Sequence, residues 1–102
     1  MELNVLELKE KLDLKKITLI DVREDYEVKI CYIENSKHIS MNRIPNNLDL
    51  LDKKNSYAII CHSGVRSLAV TQYLTNLGYN VKNVSGGIDD WALKVEKTMK
   101  RY

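Results

Sequence analysis

The chain carries no sign of export or of membrane insertion. Its opening Met1-Glu2-Leu3-Asn4 has neither a basic start nor an apolar stretch. No run approaches the roughly 20 apolar residues that a membrane span needs, so the expected compartment is the cytoplasm. An excess of one charge is also lacking. Sixteen Lys and Arg against 14 Asp and Glu leave a formal net charge of +2, too little to argue for nucleic acid or an anionic membrane as partner. Cysteine is scarce: Cys31 and Cys61 stand far apart, with no Cys-x-x-Cys pair and no His/Cys set of zinc spacing. In a reducing compartment both are expected as free thiols. One Pro, four Gly and no internal repeat argue against a disordered or repetitive chain. The 102 residues suit one domain, residues 1–102, and are too few for two ordinary ones.

What is present is an alternation of short apolar runs and helical patterns. Leu3 to Leu12 reads as an amphipathic helix with Val5, Leu8 and Leu12 on one stripe. Ile17 to Ile20 is a β-branched run ending in Asp21, the pattern of a buried strand opening into a polar loop. Arg23 to Lys29 has room for one or two helical turns. His38 to Met41 is a weaker strand, and Pro45 to Leu51 a short helix. Tyr57 to Ile60 is a second clear buried strand, leading directly into Cys61-His62-Ser63-Gly64-Val65-Arg66-Ser67. The helix that follows is expected to turn Val70, Tyr73, Leu74 and Leu77 inward and to stop at Gly78. Asn80 to Val84 reads as a strand, and Ile88 to Lys97 as a last helix after Ser85-Gly86-Gly87. Strands alternating with helices point to an α/β domain around a mainly parallel sheet.

Cys61 stands out because it ends a strand just before a helix, the edge at which open α/β sheets bind their ligands. Between them lie small or polar residues, with Gly64 free to take backbone geometry closed to others. Such a turn can curl its N–H groups inward as an anion-binding nest backed by the helix N-terminus. A thiol held there is stabilised as thiolate, the nucleophilic form. Arg66 adds a permanent positive charge and His62 a further donor. An isolated Cys after an apolar strand is ordinarily a small core residue; the Gly, Arg and Ser that follow favour chemistry. Ser67 reads as a cap or first-turn residue. Four residues separate Cys61 from Arg66, one fewer than in the similar cup of cysteine phosphatases. The shorter loop suits one extra sulfur atom better than a tetrahedral phosphate.

Three segments together resemble a rhodanese-like domain of the single-domain sulfurtransferase kind. Leu19-Ile20-Asp21-Val22-Arg23-Glu24 is similar to the first family signature, a strand ending in Asp-Val-Arg. Cys61 to Ser67 matches the loop Cys-x-x-Gly-x-Arg-Ser, and Ser85-Gly86-Gly87-Ile88-Asp89-Asp90-Trp91 resembles the closing Gly-Gly and Trp. The resemblance implies a five-stranded, mostly parallel sheet flanked by helices on both faces. It also implies a double displacement in which Cys61 takes a sulfane sulfur as a persulfide. The donor would be a small sulfur-containing anion such as thiosulfate, or a protein persulfide. The acceptor would be cyanide, a small thiol or a protein thiol. No metal or organic cofactor is implied.

In this reading His62, Ser63, Gly64, Val65, Arg66 and Ser67 hold the substrate through loop amides and charge. Asp21 and Arg23 are expected to support the loops as a charged pair. The family's usual Gly-His-Ile is here Cys31-Tyr32-Ile33, a departure that leaves the local turn and the role of Cys31 open. Trp91 is expected in the core, His38 in a structural or solvent-facing place, and the basic residues Lys94, Lys97, Lys100 and Arg101 in solvent. The alternatives are a non-catalytic binding module on the same fold, a phosphatase, and a thiol-redox protein using Cys31 and Cys61.

Overall fold

The computed structural model describes residues 1–102. Its elements, in order, are β1 (Glu2–Leu3), α1 (Val5–Asp13), β2 (Thr18–Asp21), α2 (Asp25–Ile30), β3 (Lys37–His38), β4 (Ser56–Ile60), α3 (Val65–Asn76), β5 (Asn80–Val84) and α4 (Gly87–Lys94). Two 3-10 stretches, Met41–Asn46 and Leu48–Leu50, lie between β3 and β4. The five strands form one sheet in the order β1-β5-β4-β2-β3, and every neighbouring pair is parallel. No helix is long and apolar enough to cross a membrane.

Both faces of the sheet are covered, which is why β2 and β4 read as nearly continuous apolar runs. Successive side chains alternate between the faces. Ile20, Ile59 and Val81 pack against Val70 and Leu74 of α3, against Ile44 of the first 3-10 stretch and against Leu51 just after the second. Leu19, Ala58, Ile60 and Val84 pack against Val5 and Leu8 of α1 and Ile88 and Trp91 of α4. In the sheet, Asp21 is level with Ile60, so β2 and β4 end side by side. That register sets Asp21-Val22-Arg23 beside Cys61.

The structure corrects several expected boundaries. Leu3 is not helical; with Glu2 it adds a fifth strand beside β5. Helix α1 instead begins after Asn4, whose side chain and that of Glu7 cap each other's backbone N–H. The weak strand expected at His38–Met41 is Lys37–His38, and the helix expected from Pro45 is the pair of 3-10 stretches. Helix α4 stops at Lys94 rather than Lys97, because the Trp91 carbonyl accepts from both Val95 and Glu96.

The most instructive correction is in α3. Tyr73 and Leu77 are exposed, and the buried stripe is Ser67, Val70, Thr71 and Leu74. That stripe has the same i, i+3, i+4, i+7 spacing, shifted toward the helix start. Val70 and Leu74 belong to both stripes, and the observed rotation buries Ser67, which faces Cys61, in place of Leu77.

Candidate active site

Strand β4 delivers Cys61 to the sheet edge, and Gly64, at φ +106°, turns the chain into α3. In a trans peptide the carbonyl of one residue and the N–H of the next point opposite ways, so holding the His62 carbonyl outward turns the Ser63 N–H inward, and three of the loop's carbonyls are held. The Cys61 carbonyl accepts from Ile88 N–H at 2.9 Å and the His62 carbonyl from Asp89 N–H at 3.1 Å. The Gly64 carbonyl accepts from Leu68 N–H at 3.2 Å and from Asn83 Nδ2 at 3.2 Å. The start of α4 can approach this closely only because Gly87 has no side chain. A Cβ there would lie 2.6 Å from the Cys61 carbonyl oxygen and as badly against that of His62.

Held in this way, the loop points its donors at sulfur. Gly64 N–H lies 3.1 Å from Cys61 Sγ, and Ser67 N–H 3.3 Å. The Ser67 hydroxyl is 3.3 Å away. Cys61 is only 1% exposed. That burial opposes the thiolate, but the Ser67 hydroxyl and the N–H groups of Ser67, Gly64 and Ser63 outweigh it and hold the thiol below its ordinary value.

The charged residues sort into two ion pairs. Arg23, fully buried, lies on Asp21 at 2.7 Å. Desolvation works against its charge, but hydrogen bonds to Asp21 and Tyr102 overcome this and raise its pKa. Arg66 does not stand free beside the thiol. Its guanidinium forks onto Glu27, at 2.6 Å to Oε1 and 2.9 Å to Oε2. This fork draws the Glu27 carboxyl, against the cost of its burial, down to about 2.

The candidate residues therefore divide. Cys61, Gly64 and Ser67 converge on sulfur, while Ser63 and Val65 form the exposed rim. His62 stacks its ring on Tyr102. Cys31 is a free, half-buried thiol whose carbonyl accepts from Arg23 Nη2 at 2.8 Å. His38 Nε2 pairs with the Arg23 carbonyl at 2.7 Å, and Trp91 is buried. Sequence reasoning missed Asn83, Glu27 and Tyr102. None of the three stood out: Asn83 is one of three polar residues in the five of β5, and only its burial sets it apart.

The sequence profile of the rhodanese-like domain matches residues 4–94. The chain belongs to the rhodanese-like family. Among relatives of this rhodanese-like chain, one from Bacillus subtilis named "Putative sulfurtransferase YtwF" is 43% identical over 91 residues, covering 88% of each chain. A sulfurtransferase of Allochromatium vinosum is 33% identical over 81 residues, covering 78% of this chain and 76% of its own. The fold also matches the crystal structure of a rhodanese-related protein from Thermoplasma volcanium, with TM-score 0.86, 34% identity and 92% coverage of both chains. A Staphylococcus saprophyticus protein matches with TM-score 0.85 and 42% identity, covering 93% of this chain and 97% of its own. The five-stranded parallel sheet with helices on both faces is thus the rhodanese-like architecture, and the family's sulfurtransferases are its relatives.

Proposed function

We propose that this rhodanese-like chain is a sulfurtransferase that carries sulfane sulfur on Cys61. The Cys61 thiolate attacks the outer sulfur of thiosulfate or a related donor. The donor S–S bond breaks, sulfite leaves with its electron pair, and Cys61 keeps the sulfur as a persulfide anion. Cyanide, a small thiolate or a protein thiolate then attacks the terminal sulfur. The bond to Cys61 breaks and the thiolate is restored, with no net redox change and no cofactor. The observation that carries this reading is the set of three donors within 3.3 Å of Cys61 Sγ. Such fixed dipoles stabilise the thiolate that attacks the donor and that is restored when the acceptor removes the sulfur.

The test is intact mass after incubation with thiosulfate. The protein should gain one sulfur atom, mapped to Cys61 and not Cys31, and cyanide should remove it as thiocyanate. Cys61→Ser should fold but neither gain the mass nor turn over. A folded wild type that loads no sulfur from any sulfane donor would instead be a binding module on this fold.

A further inference from the structure

After α4 the chain folds back onto the Cys61 loop. Arg101 forks onto Asp89, with Nε at 3.1 Å and Nη2 at 3.0 Å from Oδ1. Tyr102 lands with its ring stacked on His62, centroids 4.0 Å apart and planes 15° from parallel. Its hydroxyl accepts from Arg23 Nη1 at 2.9 Å and donates to Glu27 Oε2 at 2.7 Å. One hydroxyl thus joins the Asp21–Arg23 pair to the Glu27–Arg66 pair. The family match ends at residue 94, so this contact lies outside the three signatures.

We propose that Tyr102 is a positioning residue that acts through Glu27 on Arg66, fixing the guanidinium as the group that recognises an incoming anion. The inference rests on the reading of Cys61 as a nucleophile beside Arg66. Glu27 accepts both prongs of Arg66 and in doing so cancels part of its field. The Tyr102 hydroxyl orients Oε2 and draws off some of its negative charge, leaving more of the Arg66 field for a donor such as thiosulfate. Without the hydroxyl, Glu27 loses one donor and binds Arg66 with its full charge, while Arg23 Nη1 keeps only the longer contacts to the Glu27 carbonyl at 3.3 Å and Cys31 Sγ at 3.9 Å.

Alkylation of Cys61 by iodoacetate and by iodoacetamide isolates this effect. The two reagents are close in size and differ by one negative charge, so their rate ratio divides out the ionisation of Cys61. Tyr102→Phe keeps the ring on His62 and removes only the hydroxyl. With the site followed by peptide mapping, the iodoacetate:iodoacetamide ratio should fall about threefold or more, because Glu27 then cancels a larger part of the Arg66 field. Arg66→Ala should lower it at least as far, and Tyr102→Phe should have no added effect in that background. An unchanged ratio in Tyr102→Phe, or a fall that persists without Arg66, would overturn the proposal. Alkylation needs no sulfur transfer, so failure of the wild type to load sulfur would sink the catalytic reading while this ratio still judged Tyr102.

Discussion

At the scale of single residues, Ser67 supplies the side-chain hydrogen bond to the sulfur. It is fully buried and gives Cys61 both an N–H and a hydroxyl. Ser67→Ala removes the hydroxyl and keeps the N–H. A hydrogen bond to an ionised group contributes about 1.5–3 kcal/mol, which is roughly one to two pKa units. The Cys61 alkylation–pH profile should therefore move up by about one unit. A profile that stays in place would mean the backbone donors alone hold the thiolate. Arg66 shows how residue type can mislead at this scale. As a residue it is an uncompensated cation beside a thiol; in the fold it is half of an ion pair with Glu27.

At the scale of elements, the loop is shaped by its neighbours. The N-terminus of α4 holds two of its carbonyls, β5 holds a third through Asn83, and α3 turns Ser67 toward sulfur. Gly87 is the joint that lets α4 come close. Gly87→Ala meets the Cys61 and His62 carbonyl oxygens and also forces a side chain into φ +60°, a conformation costing roughly 1–2 kcal/mol for an L-residue. The backbone must shift, and the Ile88 and Asp89 hydrogen bonds to the loop go with it. The variant should melt several degrees lower, by about 4–8 °C per kcal/mol for a chain of this size. It should also lose the lowered Cys61 pKa. Normal thiolate chemistry in a folded Gly87→Ala would show that α4 does not shape the loop.

At the scale of the whole molecule, Arg23 joins Asp21 of β2 to the Glu27 carbonyl of α2, and the Glu27–Arg66 pair fastens α2 to the start of α3. Glu27 has an ordinary value of 4.5 and is lowered to about 2 in the folded state. A carboxyl lowered by folding contributes stability above its unfolded value and loses it as pH falls through the folded one. Its contribution should be complete above about pH 5 and disappear between about 4.5 and 2, with a size on the order of 3 kcal/mol. Urea unfolding of wild type and Glu27→Gln across that range should show a gap that is widest at neutral pH and closes on acidification. A gap independent of pH would mean that Glu27 is not held ionised by Arg66.

The sequence by itself determined the strand-to-helix turns, the β2 and β4 core strands and the placing of Cys61 at a sheet edge. These features are local: an apolar β-branched run, a glycine and the residues beside it are enough to specify them. It also carried the family resemblance, because all three signatures lie at such turns. The tertiary structure alone decided which groups meet. Asn83 and Gly64 are 19 residues apart, Glu27 and Arg66 are 39 apart, and Tyr102 and Glu27 are 75 apart. A sequence states that these donors and acceptors exist, but the strand order β1-β5-β4-β2-β3 brings them to one edge. The rotation of α3 was hidden for the same reason. The expected and observed stripes share Val70 and Leu74, and the observed one adds Ser67, whose partner Cys61 lies outside the helix.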